Sequence, residues 1–131
     1  MKRSYTSATW SPNGRLLALA ANPDLTPDAS LGFVGLVRAG GGHVRRLARG
    51  HYPRDLDWGP HGRKILFGEV GVVIMVLDLR TKRVSRMRYG SHPRWSPNGR
   101  RIVYERLGSI YVMNADGSHT KRLIKGVPRQ H

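Results

Sequence analysis

The chain has 131 residues and no cysteine, which gives it the length of one ordinary domain and excludes disulfides, thiolate catalysis and cysteine-type zinc sites. Its 39% hydrophobic content suffices for a core, and its formal net charge of +15 makes a surface attractive to polyanions. It contains no run of about 18 apolar residues and no apolar leader, so no membrane insertion is expected; the compartment reads as cytoplasmic as written and periplasmic if an export signal was removed.

In chain order, a first strand ends at Trp10 and the turn Ser11-Pro12-Asn13-Gly14 follows. Pro12 presets its own backbone angle and Gly14 accepts positive φ, so a hairpin is expected there. Residues 16–20 form a second strand, residues 34–37 a third and residues 44–47 a fourth, with Gly40-Gly41-Gly42 turning between the last two. The loop over residues 22–32 is the main insertion, and it holds Asp24 and Asp28.

The same order then recurs twice. Trp58-Gly59-Pro60-His61-Gly62-Arg63 is followed by apolar runs at 65–67 and 74–77 and a basic strand at 83–87. Trp95-Ser96-Pro97-Asn98-Gly99-Arg100 is followed by runs at 102–104 and 110–113, the turn Asn114-Ala115-Asp116-Gly117, and Thr120-Lys121-Arg122-Leu123. The tryptophans are 48 and 37 residues apart, bracketing the period of about 40 to 50 expected of four-stranded propeller blades. Val34 to Leu47, Ile74 to Met87 and Ile110 to Leu123 each span 13 positions, so the second hairpin has a fixed length. The expected fold is therefore all-β, a β-propeller of three four-stranded antiparallel blades per chain. The blades fall at about residues 4–49, 52–89 and 93–125, with 126–131 a connector toward a neighbouring blade. Trp10, Pro12, Gly14, Trp58, Pro60, Gly62, Trp95, Pro97 and Gly99 are its structural signature.

Unbroken apolar runs in the second strands imply burial on both faces. Alternating apolar and basic residues in the fourth strands fit outer edges, where positive side chains discourage edge-to-edge pairing. Much of the charge thus has a structural explanation.

Residues 95–104 with Ile110-Tyr111-Val112-Met113-Asn114-Ala115-Asp116-Gly117 and Arg122-Leu123 resemble the repeat of the TolB-type propellers, also called WD40-like or PD40 repeats. The resemblance covers nearly the whole chain and is strongest in the third copy. Family repeats usually place Asp before the turn glycine; here Asn13, His61 and Asn98 stand there, which removes a carboxylate from each blade. The resemblance implies a propeller whose known roles include protein docking and the screening of substrates for serine peptidases. No G-x-S-x-G nucleophile elbow occurs in the chain.

Closed propellers typically have 4 to 8 blades, and three leave two apolar faces uncovered. Two copies related by a twofold axis would make a six-bladed ring, so a homodimer is the expected assembly, ahead of a nine-bladed trimer or an excised fragment of a longer propeller.

Candidate binding-surface residues are Asp24 and Asp28 in the inserted loop and His51, Arg54, His92 and Arg94 in the connectors Gly50-His51-Tyr52-Pro53-Arg54 and Gly90-Ser91-His92-Pro93-Arg94. His51 and His92 sit in equivalent connectors, which would place both near one face of the ring. Asp55 and Asp57 sit on alternate positions of a first strand and should point the same way, a weak cation site with no further ligands in view. The six histidines show no metalloprotease spacing, and no nucleophile is paired with a base. No catalytic residue and no cofactor are expected. The reading is a non-enzymatic scaffold that closes a ring with itself and binds a protein, or a small ligand, through its channel mouth and loops. Nucleic-acid binding is the main alternative and is less favoured, because the aromatics fall on buried repeat positions and no basic run of five occurs. A substrate-gating piece of a serine peptidase is the third.

Overall fold

The computed structural model of the chain describes residues 3–23 and 32–127. Asp24 and Asp28 lie outside the described residues, as does most of the inserted loop. The described chain is twelve strands in three four-stranded antiparallel sheets, each running inner to outer in sequence order. Blade 1 comprises β1 (Arg3–Trp10), β2 (Leu16–Pro23), β3 (Gly32–Arg38) and β4 (Arg45–Gly50). Blade 2 comprises β5 (Arg54–Trp58), β6 (Lys64–Glu69), β7 (Val73–Asp78) and β8 (Arg83–Tyr89). Blade 3 comprises β9 (Ser91–Trp95), β10 (Arg101–Arg106), β11 (Ser109–Asn114) and β12 (Lys121–Ile124).

The signature turn explains each first hairpin. In blade 1 the Ser11 amide donates to the Leu16 carbonyl and the Gly14 amide to the Ser11 carbonyl, both at 2.9 Å, with Gly14 at φ 71°. The Asn13 carboxamide oxygen accepts from the Arg15 amide at 3.0 Å and the Ser11 hydroxyl accepts from the Leu16 amide at 3.0 Å. Ser96 and Asn98 repeat this arrangement in blade 3. Asparagine thus supplies the acceptor that the family's aspartate would, without its charge. In blade 2, Gly59 replaces the serine because a Cβ there would come within 3.1 Å of the Trp95 ring. His61, in the place of the asparagine, instead spans to the next blade and donates from Nε2 to the Asn98 carbonyl at 3.0 Å.

Two apolar seams join the blades. In the first, small residues of blade 1 (Ala18, Ala20, Val34, Leu36) receive large ones of blade 2 (Leu56, Trp58, Ile65, Phe67, Leu77). In the second, Leu66 and Ile74 of blade 2 meet Ile102, Tyr104 and Met113 of blade 3, with Trp95 and Tyr111 packed beside them. Tyr104 and Tyr111 stack with ring centroids 5.5 Å apart.

Burial on both faces across the central apolar run of a second strand holds for blade 2, where Ile65, Leu66 and Phe67 are all fully buried. In β2 burial alternates over residues 17–20, where Ala18 and Ala20 are buried and Leu17 and Leu19 half-buried, before Ala21 and Asn22 are buried as well; in β10 Ile102 and Tyr104 are buried while Val103 is 38% exposed. The reason is positional. Blade 2 has a neighbour on each side, whereas blades 1 and 3 each have one among the described residues.

Candidate functional site

The inner strands carry the polar groups that the seams and the apolar core do not absorb. Each inner strand pairs irregularly with its second strand, through a bulge at Tyr5/Ser7 in blade 1, at Arg54/Asp57 in blade 2 and opposite Val103/Glu105 in blade 3. A bulge re-aims the side chains beside it. Asp55 and His92, each three residues before its blade's tryptophan, accordingly adopt positive φ of 53° and 52°. Non-glycine residues in that region are uncommon and concentrate where function or packing demands them.

The bulge also separates the two aspartates. Asp57 reaches the next blade, where its Oδ2 accepts the Trp95 amide at 2.7 Å. Asp55 turns instead toward His92, whose Nε2 lies 3.8 Å from the Asp55 carboxylate while its Nδ1 lies 2.9 Å from Oε2 of Glu105. The two aspartates thus meet different partners, and among the described residues no cluster of three or more potential metal ligands occurs.

The connectors differ as well. Aligned on proline they look alike, but His51 precedes β5 in a bend, and its backbone amide donates to the Glu69 carboxylate at 2.9 Å. His92 lies inside β9 in the place that Asp55 holds in β5. Arg54 donates to the Glu69 carbonyl at 3.3 Å, whereas Arg94 donates to the Pro93 carbonyl at 2.8 Å and reaches the Asp55 carbonyl at 3.5 Å. The structure thus brings together Asp55, His92 and Arg94, and adds Glu105, which the sequence did not single out. His51 and Arg54 gather separately around Glu69. The His92 group borders an open groove of about 690 Å³ flanked by Val72, Tyr89 and Leu107. A histidine between two carboxylates can hold a charged or polar group at this rim.

Burial pushes the Asp57 carboxyl above its ordinary value, and the hydrogen bond from Trp95 with the charge of Arg94 offsets part of that rise. At the opposite end of blade 2 the Arg63 guanidinium grips Asp78, with Nη2 3.0 Å from Oδ2. That hydrogen bond, with those from the Arg80 and Thr81 amides, holds the Asp78 carboxyl at about 2. A depressed folded-state value gives stabilisation that is present above the ordinary carboxylate range and lost as pH falls through about 2. Arg63→Ala is expected to return the Asp78 titration toward 3.8, read by carbon NMR of the carboxyl.

A second group lies on the outer side of blade 1. The guanidiniums of Arg3 and Arg46 stand 5.1 and 4.6 Å from the centre of the Phe33 ring. Nη1 of Arg3 is buried without a hydrogen-bond partner among the described residues.

No family model and no curated protein matches the chain. Solved structures do. TolB from Acinetobacter baumannii superposes with a TM-score of 0.70 at 21% identity, covering 92% of this chain and 32% of that one. A putative TolB from Agrobacterium tumefaciens gives 0.66 at 19% identity, over 96% and 64%. The β-propeller domain of the Trilobed protease from Pyrococcus furiosus, described as having an open velcro topology, gives 0.68 at 15%, over 97% and 44%. The chain spans between about a third and two thirds of the length of these relatives. Three stacked sheets, the repeated Trp-turn hairpin and these likenesses together assign the chain a TolB-like β-propeller fold, present as three blades.

Proposed function

We propose that this three-bladed unit is a non-enzymatic interaction scaffold that works by assembling: further blades complete its ring, and the rim around His92 with its loops binds a protein partner. One observation carries the reading. Trp58 and Trp10 hold the same place in consecutive repeats, yet Trp58 is 8% exposed against blade 1 and Trp10 is 59% exposed. Tyr5 on the same strand is equally open. A sheet face bearing aromatic and aliphatic side chains at core positions of its repeat is an interface awaiting its other half. A second copy, giving a six-bladed ring, and blades of different sequence are the two sources of that half.

Sedimentation velocity combined with acrylamide quenching tests the reading, the Trp10 signal being isolated by comparison with Trp10→Phe. A two-chain mass with Trp10 shielded is closure by a second copy. A mass of 14.7 kDa with Trp10 open leaves the face for blades of other sequence. A mass of 14.7 kDa with Trp10 shielded would sink the proposal, because the face would then be covered from within.

A further inference from the structure

Adjacent blades are tied by a polar lock as well as by apolar packing. The residue immediately before each of the first two signature tryptophans points an oxygen at the following blade. Thr9 Oγ1 accepts the Trp58 amide at 3.2 Å, and Asp57 Oδ2 accepts the Trp95 amide at 2.7 Å. Ser7 adds a second bond in the first seam, accepting the Leu56 amide at 2.9 Å; Pro93 holds the corresponding place in the second seam and has no amide to offer. Inner-strand amides face the preceding blade, so each blade asks its predecessor for an acceptor one residue before the tryptophan.

The third position in this series is Arg94, which has donors only and whose guanidinium folds back onto the Pro93 carbonyl and toward the Asp55 carbonyl of blade 2, so it offers no acceptor to a following blade. Around it the far face of blade 3 is basic. Arg94, Val103, Val112 and Lys121 share one cross-strand row, Arg101 is exposed beside it, and the Glu105 carboxylate is already engaged by His92. The uncovered face of blade 1 is positive too. It combines Trp10, Leu17 and Val37 in one row with the Arg3 and Arg46 pair over Phe33, where a buried guanidinium nitrogen has no hydrogen-bond partner among the described residues. Closing this chain on a second copy would leave the Trp10 amide without the acceptor that Thr9 and Asp57 supply elsewhere and bring two positive faces together.

From this we infer that the uncovered face of blade 1 docks an acid-bearing blade of different sequence, one that presents a carboxylate or hydroxyl oxygen where Thr9 and Asp57 do, and that Arg94 bars a second copy of this chain from that place. The inference rests on the scaffold reading above and names the chemistry of its missing neighbour. Arginine here acts against the wrong partner, as specificity often requires.

Supplying the acceptor should therefore create self-assembly. Wild type is expected to sediment as one chain of 14.7 kDa with Trp10 open to acrylamide. Arg94→Asp is expected to form two-chain particles, its dissociation constant at least tenfold below that of wild type and Trp10 shielded; Leu17→Glu in the same background should return it to one chain. Should Arg94→Asp fail to fold, Arg94→Thr supplies the hydroxyl that Thr9 supplies in the first seam. Two-chain wild type with Trp10 shielded would overturn the inference while upholding the scaffold. A folded Arg94→Asp or Arg94→Thr of unchanged mass would overturn it as well. So would saturable shielding of Trp10 by a single-stranded oligonucleotide, which would give the face to nucleic acid.

Discussion

Phe67→Ala is expected to lower the free energy of unfolding by about 3–5 kcal/mol, the usual cost of emptying a buried phenylalanine site. Phe67 is fully buried in the seam between blades 1 and 2, where Ala18 and Ala20 leave the space that its ring fills and no larger side chain opposite can collapse inward. Leu19 occupies the equivalent place in blade 1 but faces outward and is half-buried. Leu19→Ala should cost about 1 kcal/mol, since less apolar area leaves contact and no cavity forms. Stacked repeats hold together largely through nearest-neighbour interfaces. Phe67→Ala should therefore also uncouple blade 1, raising amide exchange in β2 and β3 more than in β10 and β11. Denaturant unfolding of the two variants with exchange mass spectrometry reads both effects. Equal costs for Phe67→Ala and Leu19→Ala would mean that the face of blade 1 is covered, against the arrangement described.

The repeat register made most of the fold legible before any coordinates. Three tryptophan turns fix three hairpins, and the constant spacing of the second hairpin fixes the other two strands of each blade. What the register could not give is direction. Thr9 and Asp57 are visible as the residues before their tryptophans, but nothing in the alignment says that their oxygens leave their own sheet for an amide 49 or 38 positions along the chain. The bulges are also hidden, because positive φ at Asp55 and His92 is carried by residues other than glycine. The unequal connectors mislead for the same reason. Proline-based alignment pairs Tyr52 with His92 and His51 with Ser91, whereas distance from the tryptophan pairs His92 with Asp55. Glu105 escapes notice in a strand of buried type, since its side chain matters only after β9 folds beside it. Comparing the residue before each tryptophan across the repeats, Thr9, Asp57 and Arg94, was the available signal for the lock, and its break at Arg94 is as informative as its presence.

Charge reads similarly. The positive balance is spread over the outer strands β4, β8 and β12, as edge protection requires. Part of it, though, is committed to specific contacts. Arg88 places Nε and Nη2 on the Gly117 carbonyl at 3.0 and 2.8 Å, tying the outer strand of blade 2 to the last turn of blade 3. Arg3 and Arg46 form the opposite case, two cations over one ring with no carboxylate paired to either among the described residues. Composition alone merges these roles, and the distribution of acceptors separates them.

Asp57→Ala should show how much of the second seam is polar. Without the carboxylate the Trp95 amide has lost its acceptor inside a partly closed interface, a loss worth about 1–2 kcal/mol from the usual cost of an unsatisfied donor. The Trp95 indole, which donates to the Asp57 carbonyl at 3.1 Å, is untouched by the change, so packing of the ring should persist. Asp57→Asn keeps an acceptor oxygen and separates hydrogen bonding from charge. Because burial raises the Asp57 carboxyl above its ordinary value of 3.8, the folded chain holds that proton more tightly than the unfolded chain does. The contribution of this group to stability is then fully present below the unfolded value and declines as pH rises through the folded one. The amide has no such dependence, so the stability of Asp57→Asn relative to wild type should rise across that window and level off above it. Asp57→Ala should remain less stable than both at neutral pH. Unfolding free energies measured from pH 3 to 7 test the ordering; an alanine variant equal to the asparagine variant would show that the lock between blades 2 and 3 is apolar after all, and the argument from Arg94 would lose its footing with it.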